Sequence, residues 1–227
     1  MQPRIEIRRN SQDQPWSYAE LDARQRIVAD ECRAGGAGAL LLSEVAPVIT
    51  VGKRTCDSDF LLSESALSSR GISVYPTDRG GMATFHGPGQ WVVFVVDLLE
   101  RLTGDRRGVR RAVEGLLEIA CEVSREYDAR AEVREGPQTG VWIGENKVAS
   151  VGVKIEQGVL LHGICVNGFQ MPLSFTGIRP CGLEPQVAYL LEDPVVSGAQ
   201  VADRSVKFDR LGDRLRQQAL RTFWQVT

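Results

Sequence analysis

Apolar residues recur along the chain in two spacings, and each spacing predicts one kind of secondary structure. Repeats of three and four residues are the period of an amphipathic helix. Runs that are apolar at every position or at every second position are typical of strands. The apolar runs predict strands at residues 5–7, 40–42, 48–51, 72–75, 91–98, 141–143, 148–155 and 159–166. The helical repeats predict helices at 17–35, 63–68, 109–127 and 208–224.

Local signals define several of these boundaries and the fold class. Ser17 and Glu20 have the spacing of a capping box, and Gly35-Gly36 is a typical helix end. Residues 91–98 are apolar on both faces, as in a central buried strand. Short polar junctions at 145–146 and 157–158 predict hairpins. Strands interleaved with helices, plus an antiparallel meander, predict a mixed α/β (α+β) fold, and we expect residues 1–227 to form a single domain.

Composition and charge exclude several classes of protein. The chain has 227 residues, of which 43% are hydrophobic and 25% are charged, as in an average globular protein. A net charge of −2 argues against a protein built to bind nucleic acid. The longest apolar run is far shorter than a membrane span, and the first residues lack the apolar stretch of an export signal. We therefore expect a soluble cytoplasmic protein with neither nucleic acid nor membrane as a partner.

The cysteines and histidines argue against disulfides and metals. An odd number of cysteines, with no C-x-x-C pair, makes a disulfide framework improbable. The only two histidines are His86 and His162, and no ligand cluster surrounds either of them. We expect no metal site, and several buried thiols with at most one reactive cysteine among them.

A glycine-rich segment at residues 79–90 is the first candidate for a functional site. It reads Arg-Gly-Gly-Met-Ala-Thr-Phe-His-Gly-Pro-Gly-Gln. Its glycines leave backbone N–H groups unshielded, and Arg79 adds a charge that can meet an anionic group. A tight connection in which His86 has a structural role explains the pattern equally well. The segment is neither a dinucleotide fingerprint nor a Walker loop.

Lys147 and Cys181 are the next candidates. Lys147 begins a predicted strand, where a lysine is usually a solvated edge residue. If it is partly desolvated, its ammonium can hold a thiolate or pass a proton. Cys181 lies between Pro180 and Gly182 in a loop, where a cysteine can act as a nucleophile, although such loops are more often structural.

Together, these segments closely resemble the octanoyl-[acyl carrier protein]:protein N-octanoyltransferases, a family of the lipoate/biotin protein ligase superfamily. Residues 79–90 are similar to the family signature R-G-G-x-x-T-[YF]-H-G-P-G-Q, and the likeness spans about residues 45–190. The other matching segments are Pro47–Arg54 (weaker), Gly140-Val141-Trp142, Lys147–Gly152, His162-Gly163, Asn167 and Pro180-Cys181-Gly182.

The resemblance implies a fold, a catalytic pair and a binding cleft. The fold is that of the lipoate and biotin protein ligases, with a central mixed sheet flanked by helices. Cys181 and Lys147 match the family's catalytic dyad. The implied acyl-binding cleft is lined by Arg79, Gly80, Gly81, Met82, Ala83, Thr84, Phe85, His86, Ser150, Val151, Gly152, Gly163, Ile164 and Cys165.

The resemblance also implies an activity. The donor is octanoyl-acyl carrier protein, and Cys181 carries the octanoyl group as a thioester. The acceptors are lysines in the lipoyl domains of 2-oxoacid dehydrogenase E2 subunits and of glycine cleavage H protein. The reaction is the first step of lipoate synthesis and needs no cofactor, ATP or metal. The alternatives are an ATP-dependent lipoate or octanoate protein ligase and a non-catalytic relative that binds lipoyl domains.

Some positions depart from the family pattern. Phe85 replaces the usual tyrosine, Cys165 replaces a small apolar residue, and residues 168–170 differ from the usual sequence. These departures concern the acyl pocket more than the dyad. Four arginines at 106–107 and 110–111 suggest a basic docking patch for an acidic carrier protein, or simply a solvated helix face.

Overall fold

A computed structural model describes residues 2–9, 16–179, 187–191 and 201–226, and within them two sheets. The strands are β1 (Arg4–Arg8), β2 (Ala39–Ser43), β3 (Val48–Val51), β4 (Ser73–Pro76), β5 (Thr84–His86), β6 (Gln90–Leu98), β7 (Glu132–Arg134), β8 (Gly140–Ile143), β9 (Asn146–Glu156) and β10 (Val159–Asn167). The large sheet has the order β1-β2-β6-β10-β9-β8-β7, and the small sheet has the order β4-β3-β5.

The strand predicted to be central is central. β6 pairs antiparallel with β2 on one side and with β10 on the other. Its consecutive residues alternate between two apolar cores, which explains why the sequence is apolar at nearly every position. β8, β9 and β10 form the predicted antiparallel meander, while β1 pairs parallel with β2 at the edge. The mixed α/β fold class is confirmed.

The helices cover both faces of the large sheet. They are α1 (Tyr18–Arg33), α2 (Glu64–Ser68), α3 (Leu99–Thr103), α4 (Val109–Arg125) and α5 (Val201–Trp224). α4 and α5 pack on one face, and α1 packs on the other. The capping box of α1 forms as predicted, because Glu20 N–H donates to Ser17 Oγ and Ser17 N–H donates to the Glu20 carboxylate. No helix in the described ranges has both the length and the apolar character that a membrane crossing requires.

Two short strands and one short α-helix were not predicted, and the last helix begins earlier than expected. β5 lies inside the glycine-rich segment, where pairing with β3 rather than local propensity makes the chain extended. β7 has only three residues, and α3 directly follows β6. α5 begins at Val201 instead of 208 because the polar first turns hide its period.

The two faces of the large sheet have different roles. The face under α4 and α5 is a continuous apolar core, in which Trp91 stacks on Phe208 with ring centroids 4.8 Å apart. The other face is only partly filled by α1, and the glycine-rich segment covers the rest of it. A pocket lies between this segment and strands β6, β9 and β10.

Candidate active site

The pocket is open at one end and closed at the other. It contains about 750 Å³ of empty space, part of it open to solvent. Residues at the open end, among them Arg54 and Pro137, are exposed, whereas Tyr18, Phe94 and Cys165 at the other end are buried. The gradient of exposure defines a mouth and an inner end.

Lys147, at the start of β9, lines the mouth. Its Nζ donates to the carbonyl oxygen of Thr139 at 2.8 Å and lies 5.6 Å from the centroid of the Trp142 ring. Gly140 provides the space for this side chain. A Cβ at that position would lie 2.3 Å from Lys147 Cε, and the φ of +155° there favours glycine. The half-buried Lys147 is therefore held across the pocket mouth rather than extended into solvent.

Arg79 has a structural role that the sequence alone did not suggest. Its buried guanidinium donates to the carbonyl oxygens of Thr50, Gly80 and Met82 at 2.8–3.0 Å, and to Thr50 Oγ1 at 2.7 Å. These bonds tie the glycine-rich segment to strand β3. The Arg79 side chain thus supports the wall of the pocket from within, in addition to bordering the pocket.

Aromatic rings close the inner end. The Tyr18 ring stacks on the His86 ring with centroids 5.5 Å apart, and meets the Phe94 ring edge to face at 6.0 Å. Burial, together with the nearby charge of Arg79, lowers the pKa of His86 to about 3. His86 is therefore neutral at pH 7 and acts in the wall as a flat, weakly polar ring.

A buried hydrogen-bond network lies beside this end. His162 has a φ of +64° within β10, and its ring nitrogens contact Asp78 Oδ1 at 3.0 Å and Gln25 Nε2 at 3.2 Å. Burial lowers the pKa of His162. Asp78 also pairs with Lys154 at 2.6 Å; burial alone would raise its pKa, but the hydrogen bonds from Lys154, His162 and Arg26 lower it. The network anchors Asp78, the residue that precedes the glycine-rich segment, to α1 and β9.

Most residues of the expected cleft do border the pocket. All of them except Gly80 and Phe85 do so. Phe85 instead points into a separate apolar cluster with Ile49 and Leu67, because successive residues of β5 face opposite sides. The tyrosine-to-phenylalanine departure at this position therefore lies away from the pocket.

Val151 and Ile164 border the pocket in a different way from their neighbours. Their side chains pack in the core under α4 and α5, so only their backbone faces the pocket. Ser150 and Gly152 are the alternate residues of β9, and Gly152 approaches Arg79 closely.

Cys165 is a wall residue with a protonated thiol. Burial raises the pKa of Cys165, so its thiol is not ionised at neutral pH. Its Sγ donates to Gln90 Oε1 at 3.1 Å. These properties agree with its interpretation as a small packing residue.

Cys181 and its neighbours at 180–186 lie outside the described residues, but the chain on both sides of them is described. On the upstream side, Ile178 bridges to Phe60 and Arg179 N–H donates to Asp59 O at 2.7 Å. On the downstream side, Val187 bridges to Lys147, and Ala188 N–H donates to Lys147 O at 3.0 Å. From Val187 onward, the described chain therefore lies beside the strand that carries Lys147.

The arginines at 106–111 lie far from the pocket in the fold. They flank the start of α4, on the opposite face of the large sheet. Arg106 pairs with Glu100 and Arg110 pairs with Glu114, both in exposed ion pairs. This arrangement favours the solvated helix face over a docking patch next to the pocket. In the part of the chain that is described, no group of three or more His, Cys, Asp or Glu side chains could hold a metal ion.

Sequence reasoning missed several residues of the pocket wall. They are Tyr18, Arg54, Val92, Phe94, Gly136, Pro137, Thr139 and His162. Val92 and Phe94 were detectable in principle, because they alternate along the strand recognised as central. Tyr18 had no such signal, since it reaches the pocket from the first turn of a helix more than seventy residues before the central strand.

Comparisons with known proteins agree with the sequence resemblance. Residues 17–215 match the model of the lipoyl protein ligase A/B catalytic domain. An octanoyltransferase of Magnetococcus marinus is 36% identical over 188 residues, covering 83% of this chain and 82% of that protein. An octanoyltransferase of Solibacter usitatus is 32% identical, covering 89% of this chain and 86% of that protein.

Solved structures support the fold. A protein from T. acidophilum, solved with bound lipoic acid, superposes with a TM-score of 0.67 at 16% identity, covering 98% of this chain and 86% of that one. Sequence relatives and fold agree, and the chain belongs to the lipoyl protein ligase A/B catalytic domain family, as one of its octanoyltransferases.

Proposed function

We propose that the chain transfers an octanoyl group from octanoyl-acyl carrier protein to a lysine of a lipoyl domain, with Cys181 carrying the group in between. The observation that supports this most directly is the position of Lys147. Its ammonium lies at the mouth of a pocket whose inner end is closed and mostly apolar, so that a reacting carbonyl at the mouth and an acyl chain inside can be held at once. The family membership supports the same activity.

The proposed reaction has two acyl transfers. The thiolate of Cys181 attacks the donor thioester, a new C–S bond forms, the C–S bond to the carrier breaks, and the Lys147 ammonium gives its proton to the leaving thiolate. The ammonium of Lys147 stabilises the thiolate by its charge. The amine of the lipoyl-domain lysine then attacks the acyl-enzyme, an amide forms and the C–S bond to Cys181 breaks. Lys147, neutral after the first transfer, takes the proton of the attacking amine and, as an ammonium again, stabilises the released Cys181 thiolate.

The oxyanion of each tetrahedral intermediate needs hydrogen-bond donors. The glycine-rich segment and the Cys181 loop are the proposed sources of these backbone N–H groups. The N–H of Gly80 already donates to Val153 O at 3.0 Å, so it is excluded as a donor.

The chemistry determines what else the reaction requires. Thioester to thioester to amide is downhill overall, so the transfer needs no ATP, metal or cofactor. The main alternative is an ATP-dependent ligase of the same fold, which would activate a free acid and would not need a thiol nucleophile. The curated names of the sequence relatives favour the transferase. The E2 and H-protein acceptors and the cytoplasmic location stay predictions.

The decisive experiment tests loading without ATP. Pure protein is mixed with octanoyl-acyl carrier protein, and its intact mass and modified peptide are determined. We expect one octanoyl group on Cys181, which leaves when a lipoyl domain is added. Cys181→Ala should take up none, whereas Cys121→Ala, which removes a buried helix thiol, should load normally.

Two results would contradict the proposal. One is full transfer by Cys181→Ala, which would eliminate the covalent route. The other is octanoylation of the lipoyl domain only when ATP and free octanoate are supplied, which would identify a ligase.

The role of Lys147 has a separate test. Lys147→Ala should slow the alkylation of Cys181 by iodoacetamide at neutral pH, because the thiol loses the neighbouring charge that favours its ionised form. An unchanged pH profile of alkylation would remove Lys147 from thiolate stabilisation.

A further inference from the structure

Side chains from four elements close the inner end of the pocket. Tyr18 of α1, His86 of β5 and Phe94 of β6 contribute the ring cluster, and Cys165 of β10 completes the wall. All four are less than a tenth exposed. Behind them lies the filled core between α1 and the large sheet, so an acyl chain that reaches this wall has no further space to enter.

The distance from Lys147 to this wall corresponds to a medium-length acyl chain. Lys147 is three residues from Ser150 on β9, and Ser150 pairs with Cys165. At about 3.3 Å per strand residue and about 4.8 Å between strands, the main chain at Lys147 and the main chain at Cys165 are about 11 Å apart. An extended eight-carbon chain, whose zigzag C–C bonds advance about 1.3 Å each, spans about 9 Å. Side chains at the two ends occupy much of the difference.

The polar atoms of the wall are already buried. Cys165 Sγ donates to Gln90 Oε1 at 3.1 Å. Gln90 Nε2 and His86 Nδ1 are buried and have no hydrogen-bond partner among the residues that the structure describes. Because these atoms are already out of contact with solvent and the Cys165 thiol is held by its hydrogen bond, the wall is closely packed, and added methylenes meet a steric limit.

We infer that Cys165, supported by the Tyr18–His86–Phe94 ring cluster, sets the upper limit of acyl-chain length in this enzyme. The inference rests on the proposed function. Cys165 has the smallest side chain of these four wall residues. A substitution at this position can remove the Sγ atom, or replace the side chain by a larger one, without changing the backbone of β10.

The test changes the volume of this one side chain in both directions. Cys165→Ala removes the sulfur and should raise the ratio of kcat/KM for decanoyl over octanoyl donor about tenfold, since one methylene in an apolar pocket is worth about 10–200-fold. Cys165→Leu should lower octanoyl transfer relative to hexanoyl by a similar factor. The donors are hexanoyl, octanoyl, decanoyl and dodecanoyl carrier protein.

The matched control is Cys121→Ala, which removes another buried thiol on the opposite face of the sheet. It should keep the chain-length profile of the unmodified enzyme. Circular dichroism establishes that each variant folds, and if Cys165→Leu does not fold, Cys165→Ala alone decides. An unchanged profile in folded Cys165→Ala would overturn the inference, as would an equal shift in Cys121→Ala.

A binding measurement separates this inference from the proposed function. Calorimetry with hexanoate, octanoate, decanoate and dodecanoate reports the length that the pocket accepts without any transfer step. If the unmodified protein transfers no acyl group but Cys165→Ala still gains affinity for decanoate over octanoate, the proposed function fails and the length limit holds. If transfer proceeds and neither the profile nor the binding series changes, the length limit fails alone.

Discussion

At the scale of single residues, the arrangement of the site depends on one glycine beside Lys147. Gly140 faces the lysine across the β8–β9 hairpin and leaves room for its methylene chain. Gly144, in the same hairpin, also has a positive φ, of +57°, but has nothing within 4 Å of its would-be Cβ. A side chain at Gly140 would therefore meet Lys147 and the carbonyl oxygen of Ala149, whereas a side chain at Gly144 would meet open space.

This difference gives a matched pair of variants. Gly140→Ala should lose most transferase activity, because the new Cβ displaces Lys147 from the pocket mouth. Gly144→Ala should lower the free energy of unfolding by about 1–2 kcal/mol, because alanine is disfavoured in the left-handed conformation of this residue. It should keep its transferase activity. Urea unfolding and steady-state kinetics on both variants separate the two effects. Equal activity losses in the two variants would show that the Lys147 position is not what Gly140 protects.

At the scale of elements, segment 187–191, which follows Cys181 in the sequence, is held to the sheet by backbone hydrogen bonds and by one side chain. Asn167 ends β10, and its Nδ2 donates to Lys147 O at 3.3 Å and to Ala188 O at 3.1 Å. The amide of Leu190 in turn donates to Asn167 O at 3.1 Å. The segment 187–191 thereby continues the sheet beside β9 without being a full strand.

We expect Asn167→Ala to loosen this segment. The variant removes the hydrogen bonds of a buried amide and should cost about 1–3 kcal/mol of unfolding free energy. Hydrogen exchange should show faster exchange at Ala188 and Leu190 than at the amides of β6. Loading of Cys181 with an octanoyl group should slow in parallel. Unchanged exchange at both amides would mean that the backbone bridge to Lys147 holds the segment by itself.

At the scale of the whole molecule, the buried neutral His86 couples stability to pH. Its pKa is about 3 in the folded protein, against an ordinary value of 6.5. Between these two values the unfolded chain binds a proton that the folded protein does not. His86 therefore makes the free energy of unfolding rise as the pH increases from about 3 to 6.5. This contribution of His86 is lost as the pH falls through the same range.

His86→Asn removes this titration. Between pH 6.5 and pH 4, the slope of unfolding free energy against pH should be smaller in the variant than in the unmodified protein. The difference in slope should be up to about 1.4 kcal/mol per pH unit. Urea unfolding at several pH values measures this slope, which does not depend on how much the substitution destabilises the protein at neutral pH. An identical slope in both proteins would contradict a neutral buried His86. A single cooperative transition in the same curves would support the prediction of one domain.

Sequence patterns predicted the fold far better than the contacts of the site. Every long strand and helix predicted from an apolar repeat was found at or near its predicted residues. These repeats are predictive because burial of a strand or of one helix face determines which positions are apolar. The roles of Arg79 and Tyr18 could not be read from the sequence, since each depends on partners brought close only by tertiary folding. The glycine signature correctly marked a segment next to a pocket, but not that Phe85 within it faces away.

The order of the chain has a consequence for how the protein is made. Lys147 and the strands that pair with β9 precede Cys181, which follows Lys147 by 181 − 147 = 34 residues. At a synthesis rate of about 5–20 residues per second, the ribosome adds Lys147 about 2–7 seconds before it adds the thiol. The nascent chain therefore already contains Lys147, the proposed counter-charge of the reactive thiolate, when Cys181 is added.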